Sequence, residues 1–115
     1  MGIRQYKVLT VTLASSATLT SFIDIGRSWR HVAMELPTMN TATAVYIHGS
    51  PTSGGTFTRF GEVLATAAAN QFQDFAIATG TSGRILPIEP MCQFLKFETK
   101  TAVTHALTFS VICRD

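Results

Sequence analysis

Charge is scarce in this sequence. Only 14% of its 115 residues are Asp, Glu, Lys or Arg, against about a quarter in an ordinary soluble domain. The nine basic and seven acidic residues are scattered, and no block of one sign is long enough to follow a phosphate backbone. That pattern argues against nucleic acid as the ligand. Long apolar runs are missing too: none approaches the ~20 residues that cross a bilayer as a helix. The opening Met1-Gly2-Ile3-Arg4-Gln5-Tyr6-Lys7 lacks the apolar stretch and cleavage site of a signal peptide. The expectation is a protein without a membrane partner, made in a cytoplasm and kept there or released by lysis.

Catalytic equipment is equally thin. The three histidines, His31, His48 and His105, share no ligand spacing with cysteine or carboxylate, so no metal site is expected. There is no Gly-x-Ser-x-Gly elbow, and the acids Asp24, Glu35, Glu62, Asp74, Glu89 and Glu98 are dispersed rather than paired. The glycine-rich stretch Gly49 to Gly55 joins strand to strand and opens no helix, so it reads as a turn and not as a phosphate cradle. No catalytic residue and no cofactor is assigned, and the protein is not expected to be an enzyme.

What the chain does have is alternation. Leu9, Val11 and Leu13 interleave with Thr10 and Thr12, the period of two that marks a strand with one buried face. Thr18 to Ile25 alternates again, with Leu19, Ile23 and Ile25 on one side and Gly26 as the stop. His31 to Leu36 sets Val32, Met34 and Leu36 on one face until Pro37 ends it. Thr43 to His48 makes a fourth strand, which runs through the Gly49 to Gly55 loop into a returning strand, Thr56 to Phe60. Val63 to Asn70 is read as a loop with one or two helical turns. Phe72 to Ala78 resumes strand character, Gly80 to Gly83 makes a turn, and Pro87 and Pro90 confine Arg84 to Ile88 to a sheet edge. Gln93-Leu95-Phe97 and Leu107-Phe109-Val111 read as a hairpin with a turn near Lys100 to Thr104. The sum is an all-β fold: an antiparallel two-sheet β-sandwich, jelly-roll-like, of about eight or nine short strands. One domain spans residues 1–115, with 1–7 as an N-terminal arm, since the length is too small for two cores.

The two cysteines admit a geometric test. If both C-terminal strands turn odd-numbered residues inward, Phe97 lies opposite Leu107, Cys113 points in and Cys92 points out. Two free thiols are expected, and a disulfide would need a bulge that shifts the register.

Binding candidates cluster in three places. Asp24-Ile25-Gly26-Arg27-Ser28-Trp29-Arg30-His31 gathers the only tryptophan, two arginines, a histidine and an acid around one glycine. Two readings of it stand side by side: Trp29 plugs the end of the sandwich while Asp24 pairs with Arg27 or Arg30, or Arg27, Trp29 and Arg30 are contact residues, types enriched at interface hot spots. The loop after His48 offers Ser53, Gly54 and Arg59, with Phe57 or Phe60 assigned to the core. Arg4, Tyr6 and Lys7 form the third group, in an arm that is either disordered or reaches a neighbouring subunit.

The phrase Ile23-Asp24-Ile25-Gly26-Arg27-Ser28-Trp29-Arg30-His31-Val32, with Leu36-Pro37, Gly54-Gly55-Thr56-Phe57, Phe94-Leu95-Lys96-Phe97 and Leu107-Thr108-Phe109-Ser110-Val111, resembles small β-sandwich structural proteins of tailed bacteriophages, including head-decoration or cement proteins. The resemblance runs over residues 18 to 113 and rests on fold-bearing residues. It implies a virion structural protein on the capsid surface that binds the major capsid protein and stabilises the head, as a homo-oligomer, dimer or trimer. The alternative is a carbohydrate- or receptor-binding sandwich of a phage tail or fibre, for which Trp29 and Tyr46 would be the stacking residues.

Overall fold

In the computed structural model, residues 5–38, 44–63, 72–74, 76–78, 83–90 and 92–115 are described. They form eleven strands: β1 (Tyr6–Leu13), β2 (Ile23–Asp24), β3 (His31–Leu36), β4 (Ala44–Ser50), β5 (Thr58–Arg59), β6 (Gly61–Val63), β7 (Phe72–Asp74), β8 (Ala76–Ala78), β9 (Arg84–Ile88), β10 (Phe94–Thr99) and β11 (Leu107–Arg114). The first sheet has the order β1-β11-β3-β9. The second has the order β2-β10-β4-β5, with β8 also on β4, and β6 pairs with β7 apart from both.

The pairings follow one rule. β1 pairs with β11, β2 with β10, β3 with β9 and β4 with β8, all antiparallel. The first half of the chain therefore runs against the second half as one long hairpin, and successive pairs fall in alternate sheets. That is the jelly roll, in a two-sheet β-sandwich as the alternation suggested.

The core forms where the inward faces meet. β1 buries Val11 and Leu13, β3 buries Val32, Met34 and Leu36, and β11 buries Leu107, Phe109, Val111 and Cys113. Val45 and Ile47 of β4 and Leu95 and Phe97 of β10 close the layer from the other side. Phe97 and Phe109 stack at its centre, with ring centroids 5.4 Å apart and planes inclined by 17°.

That stack corrects the C-terminal hairpin. Both strands do turn their odd residues inward, but β10 and β11 belong to opposite sheets. The connection 100–106 crosses between layers about 10 Å apart, so Phe97 faces Phe109 through the core instead of Leu107 along a ladder. The thiols come out as anticipated by another route: both are free, Cys113 buried and Cys92 half-buried.

The second segment is also less regular than alternation implied. Only Ile23–Asp24 is strand. Residues 18–20 run along β10, where Thr20 N donates to Phe97 O at 3.0 Å and Thr20 Oγ1 accepts from Phe97 N at 3.0 Å. Thr20 is therefore the buried residue, and Leu19, bridged to Glu98, turns outward and is 44% exposed. Parity switches before Ile23 and Ile25, which are buried. At the other extreme, Pro87 does lie on an edge, in β9. Gly49 and Ser50 belong to β4, so the loop begins at Pro51. The segments 64–70 and 80–82, read as a partly helical loop and a turn, lie outside the described residues.

Two outcomes follow from this core. Phe109→Ala should lower unfolding stability by about 3–5 kcal/mol, the usual cost of removing a buried ring, as read by urea denaturation. Burial pushes the Cys113 thiol up from its ordinary value, so a thiol reagent should titrate Cys92 alone in the native protein and both cysteines in denaturant without reductant.

Candidate functional site

The outer face of the first sheet follows from the same parity. With odd residues of β1 and β11 inward, even ones face out, and the registers align them in rows. Val8 lies beside Ile112, Ile112 beside Ala33 and Ala33 beside Pro87, one apolar row across all four strands. The row above holds Tyr6, Arg114 and His31, and the row below holds Thr10, Ser110, Glu35 and Ile85. Tyr6, Val8 and Ile85 are 67%, 46% and 63% exposed, far more than apolar side chains of this size usually are.

Beyond the Tyr6 row the turn after β2 brings charge. Gly26 has φ +82°, a left-handed conformation that glycine adopts without strain, and Asp24 Oδ1 accepts its N–H at 2.8 Å. The chain then presents Arg27, whose guanidinium donates to both Asp115 carboxylate oxygens at 2.9 and 3.0 Å, to Gln5 Oε1 at 2.8 Å and to Ser28 O at 2.8 Å. It also lies over the Trp29 ring, 3.7 Å from its centroid. Trp29 is half-buried against the core and donates its Nε1–H to Ile25 O at 2.7 Å. The Arg27 guanidinium holds the exposed Asp115 carboxyl below its ordinary range.

Tyr6, Lys7, Arg27 and Trp29 line one hollow, and Arg30, His31, Arg114 and Asp115 line the next. Lys7, Arg30 and Arg114 make no ion pair with the described residues. The end of the sandwich is thus a cationic, aromatic rim continuous with the apolar row.

Several expectations change here. Arg27 pairs with Asp115 and Arg30 pairs with neither acid, whereas Asp24 bonds to Gly26 and to Gln93 Nε2 at 2.9 Å. Tyr6 and Lys7 are not an arm, because they open β1 against Arg114 and Cys113. Arg4 lies outside the described residues. His31 belongs to the Asp24–His31 cluster that the sequence marked, whereas Val8, Ile112 and Arg114 were not singled out from sequence, although an apolar residue at an outward parity, as Val8 and Ile112 are, was the available signal.

Ser53, Gly54 and Arg59 do not join this site. Ser53 and Gly54 sit exposed at the β4–β5 turn, and Arg59 lies on the outer face of the second sheet. There it makes a two-point contact with Glu98 at 2.8 and 2.9 Å and covers Tyr46 at 4.1 Å. His48 Nε2 lies 2.7 Å from the same carboxylate. On that face Lys96 lies over Phe57 at 4.5 Å, Phe22 stacks on Phe57 at 6.3 Å, and Phe94 meets Phe22 edge-on at 5.6 Å. The second sheet thus engages its charged outer groups within the fold, with Phe22 and Leu19 on that side 44% exposed, whereas the first sheet leaves Tyr6, Val8 and Ile85 46–67% exposed.

A cavity of about 730 Å³ lies between β4–β5 and β9, lined by Ile47, Phe60, Ile88 and Cys92 among others. Its charged groups are Arg59, already held by Glu98, and Glu89. Among the described residues no group of three His, Cys, Asp or Glu could hold a metal ion, and no helix is long and apolar enough to cross a membrane, which says nothing of a β-barrel.

No family model matches the chain, and neither a curated protein nor a solved structure does.

Arg59 and, after it, His48 hold Glu98 below the ordinary glutamate range against an opposing push from burial. A carboxylate depressed by folding stabilises the native state above its unfolded pKa, about 4.3, and loses that contribution as pH falls through the lower folded value. The stability difference between the protein and Glu98→Gln in urea should be full at neutral pH and shrink below pH ~4.3.

Proposed function

We propose that the chain is a virion structural protein of the head-decoration or cement type, which binds the major capsid protein at the capsid surface through the outer face of its first sheet. The observation that carries this reading is the apolar row Val8-Ile112-Ala33-Pro87 facing solvent beside a rim of Tyr6, Trp29, Arg30 and Arg114. Apolar patches rimmed by polar groups mark interaction sites on soluble proteins. Tyrosine, tryptophan and arginine are the residues that dominate binding energy there. The resemblance to phage sandwich proteins points the same way, and jelly rolls recur in viral capsid domains, although a fold by itself assigns no role. Lys7, Arg30 and Arg114, which have no acidic partner among the described residues, suit an acidic shell surface, to which attraction weakens as salt rises. Low overall charge fits a molecule that spends its life covered on one side, as one member of a homo-oligomer.

A glycan-binding role in a tail or fibre has weaker support. A sugar needs an open aromatic face, and Trp29 and Tyr46 each have one face under a guanidinium, at 3.7 and 4.1 Å.

The test is cosedimentation with expanded shells assembled from the major capsid protein encoded alongside this chain. The wild-type protein should pellet with shells. Val8→Asp and Ile112→Asp should keep the wild-type melting curve yet lose roughly 30-fold in affinity, the size of a hot-spot change near 2 kcal/mol. Wild-type protein left in the supernatant, or variants that bind equally well, would overturn the assignment.

A further inference from the structure

Sheet edges in the described part of the fold are blunted, with one exception. β9, at the far edge of the first sheet, carries Pro87, which has no N–H to offer. In the second sheet the outer strands β2, β5 and β8 have two, two and three residues. Prolines and very short strands are the means by which sheets avoid joining each other. β1 is eight residues long, without Pro or Gly, and its one charge, Lys7, sits near its start. No described residue pairs with its free side.

The backbone shows which groups that side offers. Asp115 N donates to Gln5 O at 3.2 Å, one step beyond the Tyr6–Arg114 pair of the β1–β11 register. Antiparallel ladders alternate between residues that exchange backbone bonds and residues whose N–H and C=O point away. The odd residues of β1 therefore bond to β11, and Tyr6, Val8, Thr10 and Thr12 turn their N–H and C=O to the open edge. Two of the exposed large apolar side chains, Tyr6 and Val8, are on this same strand. Leu9 stands half-buried at the rim of the core.

We infer that β1 pairs antiparallel with β1 of a second copy, joining two four-stranded sheets into one across a twofold axis. The inference rests on the proposal above only in extending the same docking face. Keeping both outer faces on one side requires even residues to pair with even ones. The register that sets Leu9 against Leu9 of the partner subunit meets this condition: it places Val8 beside the partner's Thr10 and Tyr6 beside the partner's Thr12, so every outward N–H and C=O from Tyr6 to Thr12 has a counterpart. It also closes the core rim at Leu9 and sets Val8 of each subunit diagonally across the seam from its counterpart, so the two outer faces adjoin. The strand is its own complement, and the edges left afterwards carry Pro87, so assembly stops at two instead of growing a fibre.

Sedimentation equilibrium supplies the test, with amide exchange as its second arm. The wild-type protein should show twice the chain mass. Thr10→Pro, which removes one outward N–H and no β11 bond, should halve it, while Ile85→Asp on the opposite edge should leave it doubled. In the wild-type protein the amides of Val8, Thr10 and Thr12 should be protected when concentrated and lose protection on dilution, a reading that holds even if Thr10→Pro fails to fold. A wild-type mass of one chain at every concentration, or a doubled mass with those three amides unprotected, would overturn the pairing. A monomer that still pellets with capsid shells would sink the pairing and spare the docking proposal. A dimer indifferent to shells would do the reverse.

Discussion

The stack of Phe97 on Phe109 across the two sheets is the contact from which the rest of the surface follows. A strand has two faces, and committing Phe109 to the core commits Val111 and Cys113 with it and turns Ile112 and Arg114 outward. A slip of one residue would reverse every one of these placements. β1 and β3 are then locked to β11 by their ladders, so Val8 and Ala33 must appear beside Ile112. The exposed apolar row is thus not independent of the core. It is the other side of the same pleat.

Side-chain parity was readable in the sequence, and pairing was not. Leu9-Val11-Leu13 and Val32-Met34-Leu36 marked their buried faces because Thr10 and Thr12 in the first, and His31 and Glu35 in the second, hold alternate positions, and Pro37 and Pro87 fixed an end and an edge. Alternation says nothing about which strand lies alongside, since any two alternating strands match equally well. Nearness in sequence suggested joining Phe94–Thr99 to Leu107–Arg114, and the connection 100–106 sends them to different layers. Leu19 misled for another reason. Its parity was correct for an unbroken strand, but the backbone of 18–20 bonds to β10 so as to bury Thr20.

The site was legible in part for the same cause. Trp29, Arg27, Tyr6 and Lys7 were each conspicuous by chemical type, and the fold brings them together because β1 starts at the end of the sandwich where the turn after β2 sits. Their partners were not predictable: Arg27 reaches Asp115 at the far end of the sequence, a contact that exists only once β11 lies next to β1. Arg59 looked like a contact residue because arginines often are, but Glu98 and Tyr46 occupy it. A charge engaged on two sides by its own fold has little left to offer a partner.

The rolled hairpin has a consequence for how the molecule comes into being. β11, made after every other strand described, is the strand between β1 and β3, and without it those two have no ladder in common. Apart from the β4–β5 and β6–β7 hairpins, the pairings join distant parts of the sequence, the arrangement that slows folding most. On the ribosome the early strands must wait, apolar faces uncovered, until β11 emerges. Apolar surface left open in this way makes the unfinished chain prone to aggregation.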